Sequence, residues 1–296
     1  MTQKTRSILG WTLAGFFLLA LAAGAQTEVQ RRLAAGDAVA IENIAGSVVV
    51  SGWDGAEVEV TGTLGRDVEE LEIERDGNTV QISVEIARGH GRRESWAHLE
   101  VRLPRSSDVS VETVSADITV SGVGGELSLE SVSGEIRVDG APREVEAESV
   151  SGNVEVEIDG GEVSVETVSG NVEIRGARGR LEAASVSGRL RVAAEDLERA
   201  ELNSVSGRLE LDLSLAGRAA LEIESHSGNV ELALPASTSA RFEVETWSGR
   251  IDNDLGPPAR KVGRYTPEQE LEFSIGGGDA RVAIETFSGN VTLKAR

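Results

Sequence analysis

The sequence predicts an all-β protein: a parallel β-solenoid (β-helix) with 18–21-residue coils, following an N-terminal signal peptide. Three observations carry this prediction. One short phrase, Ser/Thr-x-Ser-Gly and then alternating residues, occurs nine times from Thr113 onward, with Ala116 standing for the glycine in the first copy. Its third-position serines are Ser115, Ser133, Ser151, Ser169, Ser187, Ser206, Ser227, Ser248 and Ser288, the first five spaced by 18 residues. A period of this size marks a solenoid in which each repeat is one coil. The segments flanking each phrase alternate apolar and polar residues, the pattern of a half-buried strand. Val, Leu, Ile, Ala and Gly dominate while aromatics are 3%, as close-stacked strands with tight turns require.

The first element is a secretory leader, residues 1–25. Lys4 and Arg6 form a basic start, Ile8 to Ala23 is apolar or small, and Ala23-Gly24-Ala25 is a cleavage signal. The run is slightly short for a membrane span, and an uncleaved N-terminal anchor is the alternative. No Cys follows it, which argues against a lipoprotein. Cleavage removes Lys4 and Arg6 and no acid, moving the formal charge from −21 to −23. Such a surface disfavours nucleic acid and anionic membranes and favours cations or basic partners. With no Cys, an exported chain of this kind is stabilised by packing alone.

Residues 26–110 form an N-terminal β segment with the first coils. Ile41 to Val50 reads as an opening coil, Glu57–Thr61, Leu71–Glu74, Thr79–Ile86 and Trp96–Leu103 as strands, and Arg88 to Ser95 as a polar, basic loop. From residue 111 to 296 the repeat solenoid takes over. After each phrase an apolar pair points inward: Ile118/Val120, Ile136/Val138, Val154/Val156, Val172/Ile174, Leu190/Val192, Leu209/Leu211, Val230/Leu232 and Val291/Leu293. Before the phrases stand Leu127/Leu129, Val145/Ala147, Val163/Val165, Leu181/Ala183, Leu221/Ile223, Phe242/Val244 and Val282/Ile284. Two-residue alternation broken by glycine excludes an amphipathic helix. An antiparallel sandwich shares the alternation but has no need of a fixed 18-residue phase. The phrase itself reads as the corner, with glycine for the bend and hydroxyls for the backbone groups left there. Its x position is Val six times, then His226, Trp247 and Phe287, so x points partly outward or into a widening end of the core. Leu103-Pro104 followed by Val109/Val111-Glu112-Thr113 recurs as Leu234-Pro235 followed by Phe242/Val244-Glu245-Thr246, a module used twice. Asn253 to Gln269, with Pro257, Pro258 and Pro267, reads as a loop before the final coil.

These residues carry a resemblance. Ile41-x-Asn43-Ile44-x-Gly46-Ser-Val-Val-Val50, Leu103-Pro104 with Val109 to Thr113, the serial Val-Ser-Gly phrases, and Gly276 to Val291 resemble the bacterial putative-adhesin family, across roughly residues 30–296. The resemblance implies a parallel β-solenoid in the cell envelope. It implies no catalytic residues.

Candidate chemistry is sparse. Some β-helices cleave acidic polysaccharide with clustered Asp, Ca²⁺ and a base, but the acids here are mostly Glu spread along the rod. His90, His98 and His226 have no Ser-and-Asp constellation legible in sequence, and Gly276-Gly277-Gly278 is a turn, without the Lys-Ser/Thr and helix of a phosphate loop. Glu112, Glu130, Glu148 and Glu166, and later Glu224, Glu245 and Glu285, each precede a phrase, so stacked coils align them in a like-charged column. That column is a solvated face guarding against aggregation, or a weak Ca²⁺ site of Glu112, Glu130, Glu148 and Glu166. Arg88, Arg92 and Arg93 are a solvated tip or a contact for an acidic glycan or headgroup; Trp247 and Phe287 fill a cap or form a docking patch. The reading is a non-enzymatic, adhesin-like envelope or surface protein without cofactor, exported to the periplasm, cell surface or medium. Its partner is an envelope component, glycan or protein, and membrane contact comes only through an uncleaved leader. A periplasmic envelope-stress regulator is the alternative, and an enzyme on acidic polysaccharide the third reading.

Overall fold

Alternation leaves each strand one apolar face, which a lone coil cannot bury, so coils must stack. The computed structural model describes residues 27–86, 95–263 and 266–296. The leader, and the loop residues Arg88, His90, Arg92 and Arg93, lie outside the described residues.

Among the described residues there are twenty-three strands and no helix. The N-terminal part holds β1 (Thr27–Ala34), β2 (Ala38–Trp53), β3 (Glu57–Leu64), β4 (Val68–Asp76), β5 (Thr79–Ile86) and β6 (Ala97–Pro104). The regular repeats hold β7 (Asp108–Ser121), β8 (Glu126–Ser131), β9 (Ile136–Gly140), β10 (Glu144–Ser149), β11 (Val154–Ile158), β12 (Glu162–Thr167), β13 (Val172–Arg175), β14 (Gly179–Ser185), β15 (Arg189–Ser204), β16 (Arg208–Ser225) and β17 (Val230–Leu234). The C-terminal part holds β18 (Ala240–Thr246), β19 (Ile251–Asn253), β20 (Arg260–Lys261), β21 (Gln269–Ile275), β22 (Ala280–Thr286) and β23 (Val291–Ala295).

The coils stack in parallel and in register. Val145 lies between Leu127 and Val163, and Ala147 between Leu129 and Val165, each an offset of 18 residues. Strands preceding the phrase form a first ladder, β5-β2-β7-β8-β10-β12-β14-β15-β16-β22-β18. Strands following it form a second, β6-β2-β7-β9-β11-β13-β15-β16-β17-β23-β19. The long strands β2, β7, β15 and β16 turn a corner and belong to both. Every predicted inward pair is buried, and together they make one continuous core.

Both ends depart from sequence order. At the start, the β5/β6 coil lies outside the β2 coil, which pairs on its inner side with β7. At the finish, the last coil in sequence, β22/β23, sits between β16/β17 and β18/β19. This explains the Leu-Pro module. After Pro104 the chain passes from β6 across β2 to β7, and after Pro235 from β17 to β18, leaving a space that β22 and β23 later fill. A turn follows each proline, with Ser107 N–H donating to Pro104 O at 3.0 Å and Thr238 N–H to Pro235 O at 2.9 Å. Antiparallel strands close the ends: β4 on β5, β3 on β6 with β1 in turn on β3, and β21 on β18. The 253–269 segment, read from sequence as a plain loop, carries β20 and leads into the capping strand β21, where Phe273 stacks on the buried Phe242 at 4.6 Å.

Glycine is required where coils touch. A Cβ on Gly152 would lie 1.8 Å from the Gly134 carbonyl oxygen of the coil before, so only glycine permits the stacking distance there. Gly217, by contrast, has open space around its Cβ direction. Gly152→Ala is therefore expected to destabilise the fold by about 2–4 kcal/mol, while Gly217→Ala is neutral or gains up to about 1 kcal/mol. Thermal melts of the two variants decide this, and equal melting temperatures would mean the corner tolerates a side chain.

Candidate corner groove

The phrase is the corner, and each of its positions has a task. The first hydroxyl turns inward and accepts the glycine N–H, as Ser131 does from Gly134 at 2.8 Å and Ser149 from Gly152 at 2.8 Å. The third-position hydroxyl donates to the x carbonyl of the coil before, Ser133 to Val114 and Ser151 to Val132 at 3.1 Å each. With the backbone satisfied on both sides, x is forced outward.

The x side chains therefore form an exposed ladder. In spatial order it runs Ile44, Val114, Val132, Val150, Val168, Val186, Val205, His226, Phe287 and Trp247, joined by backbone bonds from coil to coil. Its aliphatic and larger aromatic members are 43–56% exposed, although they are apolar. At the C-terminal end the rings stack, His226 on Phe287 at 5.0 Å and Phe287 on Trp247 at 6.4 Å. Trp247 and Phe287 do not fill the core: a corner residue held between two bonded hydroxyl positions cannot turn inward.

The glutamate column lies alongside. Glu42, Glu112, Glu130, Glu148 and Glu166 align rung by rung on the first ladder. Ala184 and Asn203 interrupt it, and Glu224, Glu285, Glu245 and Glu270 resume it. Column and ladder line one groove of about 1160 Å³. Among the described residues, no Lys or Arg pairs with Glu112, Glu130, Glu148 or Glu166. The second ladder is different. There Arg137 bridges Glu135 at 2.7 Å and Glu155 at 3.4 Å, Arg175 reaches Glu155 and Glu173, and Arg191 joins Glu173 at 3.6 Å to Glu210 at 2.8 Å.

The electrostatics follow. Burial, then the Glu130 and Glu166 carboxylates, raises the Glu148 pKa; burial, then Glu270 and Glu285, raises that of Glu245. Glu210 goes the other way, lowered chiefly by its bond from Arg191. Among the described residues, no group of three or more His, Cys, Asp or Glu is placed to hold a metal ion. Stacking brings Ser47 Oγ to 2.8 Å from His98 Nδ1, a pair invisible in sequence. Among the described residues no carboxylate bonds the other ring nitrogen of His98. What the corner can do chemically is present a long apolar edge beside negative charge.

Fold and groove define a repeat β-protein of solenoid-like build with an extended surface site. The sequence profile of the Toastrack DUF4097 family matches residues 36–230, and the chain belongs to that family. No curated protein matches it. A solved structure described as a putative adhesin from Parabacteroides merdae is 7% identical, with a TM-score of 0.49, over 91% of this chain and 96% of that one. Another so described, from Bacteroides fragilis, is 10% identical with a TM-score of 0.42, over 92% and 98%. One described as a putative lipid binding protein from Parabacteroides distasonis is 12% identical with a TM-score of 0.35, over 91% and 96%.

The column predicts a pH dependence. A carboxyl whose pKa is raised on folding holds its proton more tightly when folded, so its contribution to stability falls as pH rises through the ordinary range to the raised value. At neutral pH the full cost is present. Glu148→Gln should stabilise by about 0.5 kcal/mol at neutral pH, and the gain should fade near pH 4. Glu210 has the opposite sign: its contribution is present above the ordinary range and lost on acidification. Melts of Glu148→Gln across this range check the column, and an unchanged melting temperature at neutral pH would remove the repulsion.

Proposed function

We propose that this protein is an exported, non-enzymatic, adhesin-like binding or scaffold protein of the bacterial envelope, and that the corner groove is its contact surface. One observation carries the reading. Ten x residues in stacked coils form a half-exposed, largely apolar ladder beside a column of acids of which the run Glu112 to Glu166 meets no cation within the described residues. A continuous exposed apolar stripe of this kind marks an interaction surface. At about 4.8 Å per coil, nine steps span roughly 43 Å, long enough for a macromolecular partner. Residues 1–25 support export, since a basic start, an apolar run and a small-residue cleavage signal are what the secretory machinery reads.

The test is photo-crosslinking in intact cells of the native host. A crosslinking residue at Val150 or Val168 is expected to capture a partner, and the same residue at Glu157 on the second ladder is not. Equal yields at both faces, or none at either, would leave the groove without a binding role. Protease added to the same cells should cleave the chain; protection until the outer barrier is broken would end the adhesin reading and leave the scaffold.

A further inference from the structure

The groove has a spacing and a charge, and both constrain what fits it. Apolar rungs recur at about the inter-strand distance, 4.8 Å. A ligand that uses several rungs must repeat its own apolar groups at nearly that distance. An extended peptide strand repeats same-face side chains about every 6.6–6.8 Å, so it slips by roughly 2 Å per rung and loses register within two. An α-helix brings its apolar stripe round every 3.5–3.6 residues, about 5.1–5.4 Å. It slips by only about half an ångström per rung and keeps contact over four or five.

Charge selects the flank of that helix. Glu42, Glu112, Glu130, Glu148 and Glu166 stand in unbroken sequence beside Ile44, Val114, Val132, Val150 and Val168, and Ala184 ends the run. Four steps of about 4.8 Å give an acid run of roughly 19 Å, the length of about 13 helical residues. A Lys or Arg beside the apolar stripe lays its aliphatic stem on the ladder and its charge on the column. A second copy of this chain fits poorly, because it brings a like-charged column and a formal charge of −21 to the same place.

Resting on the binding role proposed above, we propose that the groove segment from Ile44 to Val168 is a receptor for a basic amphipathic α-helix of a partner protein or peptide. The helix lies along the stack axis, its leucine-type side chains on the valine ladder and its cations on the glutamate column. The raised Glu148 pKa accords with this: burial raises it first and the Glu130 and Glu166 carboxylates next, and a cation there relieves the second cause.

The experiment titrates the full chain into labelled peptides of about 18 residues, a length set by the helix estimate. One carries Leu and Lys in helical period, one has the same composition in strict alternation, and one carries Leu and Glu in helical period. The first is expected to bind at least about tenfold tighter than the others, a difference near 1.4 kcal/mol, and to gain helicity by circular dichroism. The triple variant Val132→Ser, Val150→Ser, Val168→Ser should weaken it about fivefold or more, as should Glu130→Gln, Glu148→Gln, Glu166→Gln, by loss of apolar contact and of charge respectively. Glu157→Gln on the second ladder should leave it unchanged. Melting temperatures confirm that each variant is folded. Equal binding of the alternating peptide, or indifference to the valine substitutions, would overturn the helix assignment. Crosslinking at Val150 would then still support the binding role, so the two failures are distinguishable.

Discussion

The structure depends on one close approach: the backbone of each coil rests on the backbone of the next at the corner glycine. Gly134, Gly152 and Gly170 each meet the carbonyl of the preceding coil where a Cβ would otherwise stand. That contact fixes the stacking distance, and the stacking distance fixes the rest. It sets the 18-residue offset of the ladders and places hydroxyl on carbonyl from coil to coil. It also denies the x residue any route inward. The exposed ladder is thus a consequence of how the corner is built.

A stack of open-ended ladders exposes unpaired strand edges, which invite aggregation. Both ends meet this with the same device. A coil is placed out of sequence order, and an antiparallel strand is laid on the outermost position. The Leu-Pro turn makes this possible by carrying the chain past one coil, and proline ends the strand because it cannot continue the hydrogen-bonded ladder. At the far end the device has a second effect. Inserting β22 and β23 between β16/β17 and β18/β19 places Phe287 between His226 and Trp247, so three residues distant in sequence become one ring stack.

The fold was legible because two periods coincide in the sequence. Alternation marks which residues of Glu126–Ser131 face the core, and the 18-residue phase says which coil each lies against. Neither period encodes the order of coils at the ends, since a coil of correct length fits any gap of correct width. Nor does alternation give direction, so β4 and β21 could not be assigned as antiparallel caps. Of the site, both halves were legible separately: the outward tolerance of x and the alignment of Glu112, Glu130, Glu148 and Glu166. Their union in one groove was not, because it depends on the corner turning x back beside the outer face of the first ladder. The stacking of His226 on Phe287 was hidden by the exchange of coil order, which separates them in sequence by the coil of Trp247.

The two ladders carry the same kinds of residue to different ends. On the second, Arg137, Arg175, Arg191 and Arg208 stand among glutamates, and Glu135, Glu155, Glu173 and Glu210 each have a cation within reach. The chain therefore has the means to neutralise stacked glutamates, on the first ladder too where Arg180 meets Glu182 and Arg281 meets Glu243, yet among the described residues it leaves the run from Glu112 to Glu166 without a cation. Solubility accounts for part of the difference, because a charged column keeps stacked sheets apart. It does not account for the valines. A corner kept only for solubility would be served equally by serine or threonine at x, which the outward geometry accommodates, yet the position is apolar at nine of its ten rungs and His226 stacks on a phenylalanine. Negative charge against an exposed apolar edge is the pairing that discourages self-association while leaving the edge open to a cationic, amphipathic partner, and the corner repeats that pairing coil after coil.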